Sequence, residues 1–243
     1  MRLSYRGAPF HGWQVQPGAV SVQQTIEEAL AKVLRHPVPV TGAGRTDAGV
    51  NARLMVAHFD LSDPIADPRA LIGSLNALVG KDISIHSIEE VDPSLHARFS
   101  ATSRTYHYYA LPGKSSFLYP LVWKAPDTLD YEAMNRAARI LLETDDFTSF
   151  AKLHTDAKTS ICRVTRAEWV PWQAFDGTEG HVFVITADRF LRNMVRAVVG
   201  TLVEVGRGKM TVEGFRKVIE RRDRCAAGNS MPPQALYLWD VTY

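Results

Sequence analysis

Potentially reactive side chains stand inside a glycine-rich stretch at residues 41–50. Three glycines within eight residues indicate a backbone that turns tightly or passes close to another segment. Arg45 and Asp47 lie inside this turn, where a plain linker would more often carry Ser, Asn or Lys. An apolar run at residues 54–59 follows at once, so we expect the loop to lie at the edge of a packed sheet. Reactive groups are commonly displayed in this way, on a loop over a rigid scaffold.

Several known loop types compete for this stretch. A dinucleotide-binding loop accounts for Gly42 and Gly44 but requires a third glycine where Asp47 stands. A phosphate-binding P-loop requires a Gly-Lys-Ser/Thr sequence, which does not follow. The triplet Asp47-Ala48-Gly49 is weakly similar to an aspartic protease loop, but that chemistry needs two facing carboxylates and the motif occurs once. A structural turn with a surface Arg/Asp pair stays open on spacing alone.

The segment from Gly44 to Val50 resembles the signature loop of the tRNA pseudouridine synthase A family, in which the aspartate is catalytic. Six further segments are similar to family segments and occur in the family's order: Phe10-His11-Gly12-Trp13-Gln14, Leu95-His96-Ala97-Arg98-Phe99, Arg104-Thr105-Tyr106-His107-Tyr108, Phe147-Thr148-Ser149-Phe150, Asn193-Met194-Val195-Arg196 and Ala235-Leu236-Tyr237-Leu238. Together they extend over nearly the whole chain, so the resemblance does not depend on one loop.

The resemblance implies an α+β protein with the pseudouridine synthase fold. Two α/β halves, each similar to an RNA-recognition or ferredoxin-like domain, would join in a largely antiparallel central sheet flanked by helices. We expect an N-terminal subdomain at residues 1–100 that carries the aspartate loop. A C-terminal subdomain at residues 101–243 would complete the active-site cleft.

Capping residues and hydrophobic periodicity predict the individual elements. Helix starts are indicated at Ser21, Asp67, Asp130 and Thr211. A long helix is predicted over residues 191–202, and the helix after Asp130 is expected to bury both Leu141 and Leu142. Strands are predicted at residues 2–6, 38–40, 54–59, 83–85, 105–111, 162–170, 181–187 and 236–241.

Pseudouridine formation breaks the glycosidic bond of uridine, turns the free base and rejoins it through carbon. This isomerisation needs no redox cofactor, group donor or metal, so we expect none. Cys162 and Cys225 are solitary, and no Cys/His cluster has the spacing of a zinc site. By resemblance, Asp47 is the catalytic residue. A carboxylate in an apolar pocket tends to take up a proton, and a nearby guanidinium favours its charged form; in the family the arginine of the Asn-Met-Val-Arg helix does this, here Arg196.

Four further residues have roles implied by the resemblance. Arg45 resembles the family arginine that helps extrude the target nucleotide, with a phosphate contact or a brace of the loop as the alternative. Tyr106 resembles the family tyrosine that stacks on the target base, although a strand tyrosine is by itself more often a core residue. Leu236 and Leu238 are expected to form an apolar wall of the pocket.

Two positions of the motifs carry open questions. Asn51 stands where a His commonly follows Gly-Val in the family, which concerns local hydrogen bonding or tRNA contacts rather than the reaction. Trp13 lies in a family-like segment, but a Trp after Gly serves equally well as a packing anchor.

Charge distribution points to a polyanionic partner. The chain of 243 residues is 46% hydrophobic and 22% charged, with a net charge of +2. Residues 189–224 hold ten Lys or Arg against four acids, a local charge of +6 that suits binding to RNA. Lys152, Lys158, Arg163 and Arg166 are further candidates for tRNA contact. The apolar runs are shorter than the roughly 18–20 residues that span a bilayer, so we expect no membrane association.

The resemblance also implies a substrate and an assembly. The family flips uridines of the tRNA anticodon stem-loop (positions 38, 39 and 40) into its pocket and acts as a homodimer, with one tRNA contacting both subunits. We therefore expect a cytoplasmic, metal-free homodimer that acts on tRNA. A non-catalytic RNA-binding module of the same fold and a metal-free glycosylase that releases the base are the alternatives. The residues do not choose between covalent attack by Asp47 on the sugar and proton abstraction through a glycal.

Overall fold

The computed structural model describes residues 1–152 and 159–243 and divides the chain into two compact units. Unit 1 contains Met1–Thr102 and Tyr237–Tyr243, and unit 2 contains Ser103–Leu236. Lys158, one of the basic residues expected to contact tRNA, lies outside the described residues. Among the helices of the described ranges, none has the length and apolar character needed to cross a membrane.

The strands are, in chain order, β1 (Arg2–Tyr5), β2 (Thr41–Gly42), β3 (Asn51–His58), β4 (Ile83–Ser87), β5 (Ser103–Pro112), β6 (Trp123–Ala125), β7 (Val164–Gln173), β8 (Glu179–Ala187) and β9 (Leu236–Thr242). The helices are α1 (Val22–Leu34), α2 (Pro68–Leu78), α3 (Tyr131–Arg139), α4 (Met194–Gly206) and α5 (Val212–Glu220).

Antiparallel pairing dominates both units. In unit 1, β1 pairs antiparallel with β3 and β4, β2 pairs antiparallel with β3, and β9 runs parallel to β3. In unit 2, β8 pairs antiparallel with β5 and β7, while β6 runs parallel to β5. The expected α+β class, with a largely antiparallel sheet flanked by helices, is confirmed.

Side-chain caps start four helices at the predicted residues. Each capping oxygen accepts backbone N–H groups that have no partner inside the helix. The pairs are Ser21 with Gln24 at 3.2 Å, Asp67 with Arg69 and Ala70 at 3.0 Å each, Asp130 with Ala133 at 2.8 Å, and Thr211 with Gly214 at 2.9 Å.

Two predictions of local structure are wrong. Residues 38–40 are not a strand, because the Glu27 carboxylate of α1 takes the N–H of Val40 and the Gln23 amide binds its carbonyl. The strand begins only at Thr41. Leu142 is 46% exposed, because α3 ends at Arg139 and the chain continues as a 3₁₀ turn that changes the phase of the apolar face. The short strand β6 was not predicted.

The core of unit 1 contains apolar side chains that lie side by side in the sheet. Leu3 is in register with both Met55 and Ile85, and all three are almost fully buried. Ile26 of α1 and Leu75 of α2 have no exposed surface either. Both helices therefore bury the apolar faces predicted from their spacing.

Helix α4 is the central helix of unit 2, since eleven of its thirteen residues are buried. The segment at residues 228–231 lies directly on it. A Cβ atom on Gly200 would lie 1.8 Å from the carbonyl oxygen of Asn229, and the Thr201 hydroxyl accepts the Gly228 N–H at 2.9 Å. This contact requires glycine at residue 200.

Gly200→Ala should therefore lower the free energy of unfolding by about 1–3 kcal/mol, because the new methyl group forces Asn229 off the helix. The matched control is Gly73→Ala in α2, where a Cβ atom would meet nothing within 4 Å. That change should stabilise the protein by up to about 1 kcal/mol through helix propensity. Urea denaturation of both variants measures the difference, and equal effects would contradict the described contact.

Candidate active site

Asp47 opens a tight turn in unit 1. Its carbonyl oxygen accepts the N–H of Val50 at 3.1 Å, and Gly49 has a φ of +77°. A positive φ at the third residue is the requirement of a type II turn, which glycine meets without strain. The Asp-Ala-Gly-Val sequence is thus explained by the shape of the backbone.

Burial along this loop varies from residue to residue. Arg45 is exposed, Thr46 is buried and Asp47 is half-buried. The Thr46 hydroxyl lies 2.7 Å from the hydroxyl of Tyr5 on β1. Thr46 therefore anchors the loop to the sheet, and the two charged residues on either side of it are held in place by that anchor.

A second loop, residues 7–13, braces the aspartate turn through its backbone. The N–H of Trp13 donates to the carbonyl of Thr46 at 3.2 Å, and the N–H of Gly49 donates to the carbonyl of Phe10 at 3.3 Å. The segment from Phe10 to Gln14 provides these contacts. Its resemblance to a family segment is thereby explained, which the sequence alone did not do.

Two glycines allow the loops to touch. A Cβ atom on Gly7 would lie 2.1 Å from the carbonyl oxygen of Val50. A Cβ atom on Gly12, whose φ is +92°, would lie 2.5 Å from the carbonyl oxygen of Thr46. No other residue type fits either position, so both glycines are part of the site.

Asn51 and Trp13 complete this brace. The Asn51 side chain is buried, and its amide oxygen accepts the N–H of Gly7 at 2.8 Å. Asn51, which stands where the family commonly has His, therefore makes a local hydrogen bond to the backbone of Gly7. Trp13 is 3% exposed and packs so closely on Gly42 that a Cβ atom there would lie 2.5 Å from the indole ring. Trp13 is a packing anchor.

Tyr106 lies on β5 in unit 2. It is 9% exposed, and its ring meets Phe190 edge-on at 5.1 Å between centroids. Tyr108, two residues further along the same strand, is fully buried and donates its hydroxyl to the carbonyl of Pro232 at 3.2 Å. Burial raises the pKa of Tyr108, and the charge of Arg196 opposes this shift.

Arg196 is held to the segment that crosses α4. Its Nε donates to the carbonyl of Met231 at 2.5 Å, and its own carbonyl accepts the Met231 N–H at 3.1 Å. This reciprocal pair fixes the orientation of the guanidinium plane. Within unit 2 the charge of Arg196 therefore acts on Tyr108 of β5.

A second set of contacts secures the same segment. The hydroxyl of Ser230 accepts from the Asn193 amide at 2.5 Å and from the Arg224 guanidinium at 2.9 Å. Arg224 also donates to the carbonyl of Gly228 at 3.2 Å. Asn193, at the N-terminus of α4, has a φ of +64°, a conformation that asparagine tolerates better than most residues.

The two leucines predicted for the pocket wall are both buried on β9. Leu236 is 5% exposed and Leu238 is 1% exposed, and Leu238 is in register with Ala52 at the start of β3. Arg45, Asp47 and Leu238 belong to unit 1. Tyr106, Arg196 and Leu236 belong to unit 2.

The supporting residues escaped sequence reasoning. Tyr5, Gly7 and Ser230 act through contacts with residues distant in the chain, so spacing gives no sign of them. Asn193 lies in a segment singled out by its resemblance, but its bond to Ser230 was not expected. One signal was present for Gly12, since a glycine next to an expected loop often marks close approach of two backbones.

Part of the charge of the basic segment is held in local ion pairs. Several of its arginines pair with acids, and the distances are 3.1 Å for Arg207 with Glu204, 3.8 Å for Arg216 with Glu213, and 3.1 Å for Arg222 with Asp146. Lys209, Lys217 and Arg221 are exposed. In the described part of the chain no three His, Cys, Asp or Glu side chains are grouped as a metal site would need.

Comparison with known proteins identifies the family. A family model described as tRNA pseudouridine synthase matches residues 137–243. The chain is 56% identical to a tRNA pseudouridine synthase A of Parabacteroides distasonis over 243 residues, which covers 99% of this chain and 94% of the relative. A protein of the same name from Porphyromonas gingivalis is 53% identical over 242 residues, covering 99% and 95%. The chain belongs to the tRNA pseudouridine synthase A family.

Family membership applies to both units. The family model covers the region of Arg196 but not Asp47, whereas the named relatives are similar over nearly their full length. A relative from Bacteroides thetaiotaomicron, also named tRNA pseudouridine synthase A, is 56% identical over 241 residues, covering 99% of this chain and 88% of the relative. The resemblance seen in the sequence motifs is confirmed.

The Thr46–Tyr5 hydrogen bond generates a prediction about the Asp47 loop. Thr46→Val should lower the free energy of unfolding by about 1–3 kcal/mol, because it leaves the buried Tyr5 hydroxyl without this partner. It should also lower turnover, since the loop loses its anchor. Thr46→Ser, which keeps the hydroxyl, is the matched control.

A double-mutant cycle with Tyr5→Phe separates the bond from the rest of both side chains. The two changes should show a coupling energy of about 1 kcal/mol in urea denaturation. Additive effects would mean that the two hydroxyls do not interact.

The left-handed conformation of Asn193 generates a second prediction. Asn193→Gly removes the bond to Ser230 but keeps the backbone relaxed, whereas Asn193→Ala removes the bond and adds strain. Asn193→Ala should therefore be less stable than Asn193→Gly by about 1–2 kcal/mol. Thermal denaturation at equal protein concentration compares them, and the reverse order would contradict the assigned backbone conformation.

Proposed function

We propose that this protein isomerises uridine to pseudouridine in the anticodon stem-loop of tRNA, with Asp47 as the catalytic residue. The observation that carries the proposal is the braced turn that holds Asp47, whose side chain is half-buried. The chain that contains this turn is similar over nearly its full length to tRNA pseudouridine synthases A. Enzymes hold reactive groups on rigid supports because small displacements are costly in rate.

The reaction conserves every atom. The bond between C1′ and N1 of uridine breaks, a bond between C1′ and C5 forms, the proton on C5 is lost and N1 gains one. No oxidant, reductant or group donor takes part. The protein has to provide a group that acts on the sugar and a site that retains the detached base.

Asp47 fills the first requirement in either of two ways. Its carboxylate attacks C1′ to form a covalent intermediate, or it removes a sugar proton so that the reaction passes through a glycal. The two loops that hold its backbone support both routes, because each needs a carboxylate in one fixed position relative to the sugar.

The other expected residues take supporting roles in the proposal. Arg45, which is exposed, reaches the nucleotide as it leaves its stack, because the glycosidic carbon is not accessible inside a stem. Tyr106 stacks on the flipped base, and the edge contact with Phe190 supports its ring orientation. Arg196 keeps the catalytic carboxylate charged, and Leu236 and Leu238 line the pocket.

The proposal extends to a cytoplasmic homodimer, as in the family. Exposed aromatic side chains of unit 2 support self-association, because such groups often mark protein interfaces. They are Phe117, Tyr119 and Phe175, exposed to 68%, 76% and 80%.

Asp47→Asn and Asp47→Ala test the catalytic assignment. Both should lower single-turnover pseudouridine formation at least about a thousandfold, since neither side chain can act as nucleophile or base. Binding of tRNA should stay within about threefold of the unchanged protein. Asp63→Asn, in an exposed loop of the same unit, is the matched control and should retain full activity.

Nucleoside analysis of the treated tRNA gives the readout and separates the alternatives. Substantial turnover by Asp47→Ala would remove Asp47 from its role. Free uracil in the mixture would identify a glycosylase. Unmodified tRNA that nevertheless binds the unchanged protein would identify an RNA-binding module.

A further inference from the structure

We infer that Phe99, with Arg98 beside it, is a stacking platform for an unpaired base of the tRNA substrate, at a distance from the reacting uridine. The inference rests on the proposed tRNA substrate but is independent of the catalytic role of Asp47. Five observations within unit 1 support it.

The first observation is exposure. Phe99 is 77% exposed on the segment between β4 and β5. Surface phenylalanines are uncommon when nothing covers them, and a ring presented in this way is a contact surface for a planar partner. Leu95, in the same segment, is 44% exposed and provides an aliphatic comparison.

The second observation is that the ring is held in a fixed position. Nδ1 of His96 accepts the N–H groups of both Arg98 and Phe99, at 3.1 Å and 3.2 Å. The His96 ring lies against Phe99 with 4.3 Å between centroids and 30° between planes. The carbonyl of His96 also accepts the N–H of Ser100 at 2.9 Å, and the Ser100 hydroxyl accepts the N–H of His96 at 3.0 Å. Hydrogen bonds between His96 and Ser100 in both directions therefore hold the two ends of the turn together.

The third observation is that this turn is attached to the sheet. The N–H of Ala97 donates to Nδ1 of His58 at the end of β3, at 3.1 Å, and the Tyr243 hydroxyl donates to the Ala97 carbonyl at 2.7 Å. Burial and the neighbouring His96 lower the pKa of His58. Nδ1 of His58 therefore remains an acceptor for the Ala97 N–H at neutral pH. A base that stacks on Phe99 meets a turn that is already fixed to the sheet, so binding loses little conformational entropy in this turn.

The fourth observation is charge. The Arg98 guanidinium lies 5.7 Å from the centroid of the Phe99 ring. An exposed aromatic ring with a cation over it matches a nucleotide, since a base stacks on the ring or on the guanidinium plane while the phosphate attracts the cation. The nearby acid Asp92 is engaged locally, because its carboxylate accepts from the N–H and hydroxyl of Ser94 at 2.8 Å and 2.6 Å. Phe117 and Phe175 differ, since their rings contact each other at 6.0 Å.

The fifth observation is position. The Asp47 turn leads into β3 at Asn51, whereas the Phe99 turn is attached at His58, the other end of that strand. Seven residue steps of about 3.3 Å separate these ends, about 23 Å in total. The base on Phe99 is therefore a second nucleotide of the bound RNA, and the platform contributes to binding and register rather than to the reaction.

A series of substitutions at Phe99 tests the platform. Phe99→Ala and Phe99→Leu should weaken tRNA binding by about 5- to 100-fold, because both remove the π face on which a base stacks. Phe99→Tyr and Phe99→Trp should bind within about twofold of the unchanged protein, and so should the matched control Leu95→Ala. The single-turnover rate at saturating tRNA should change by less than about twofold in every variant.

Arg98→Gln should weaken binding and reduce the slope of log affinity against log salt by about one. A fully base-paired RNA duplex of equal length serves as a second ligand. Its affinity should be the same for Phe99→Ala and the unchanged protein, since a duplex offers no unpaired base.

Three results would overturn the inference. The first is equal tRNA binding by Phe99→Leu and the unchanged protein, which would show that no π face is needed. The second is an equal loss of duplex binding in Phe99→Ala. The third is dissociation of an oligomer by Phe99→Ala in sedimentation analysis, with tRNA binding restored at higher protein concentration, which would assign the ring to a protein interface. An active Asp47→Ala variant would refute the catalytic proposal alone, because these binding measurements do not depend on it.

Discussion

The close approach of two backbones at Gly7 and Gly12 is the constraint on which the candidate site depends. Carbonyl oxygens of the Asp47 loop occupy the space that side chains would need at both positions. Hydrogen bonds between main-chain groups can form across this contact only because nothing intervenes. The loop that carries Asp47 is consequently part of the packed structure of unit 1, although its sequence has the composition of a flexible turn.

Unit 2 uses the same principle around its central helix. Gly200 lets the segment at residues 228–231 rest on α4, and the contact with Met231 then orients the Arg196 side chain. Each unit thus places its expected functional side chain with a glycine contact and main-chain hydrogen bonds. Backbone groups have fewer degrees of freedom than long side chains, so this arrangement holds a charged group with little loss of conformational entropy on binding.

Several arginines of the basic segment are engaged in local contacts. Arg207, Arg216 and Arg222 each have an acidic partner, and Arg224 is used to hold the segment over α4. Exposed ion pairs contribute little to stability, and because Glu204 and Glu213 are already counted in the local charge of +6, their pairing leaves that net charge unchanged. Recognition of tRNA then combines this positive charge with contacts of defined shape, such as an exposed aromatic ring.

Helix starts followed from local sequence, because a capping side chain bonds to N–H groups only two or three residues away, and the α+β class followed from the family resemblance. The family, and with it the expected place of chemistry at Asp47, followed from motifs spread along the chain. Tertiary structure alone decided the rest. Residues 38–40 do not form the expected strand because side chains of α1 bind the backbone of Val40. Hydrogen bonds to residues distant in the chain give Tyr5, Asn51 and Ser230 their supporting roles. The physical reason is that such bonds join residues far apart in sequence, and no local pattern records which backbone will lie within 3 Å of another.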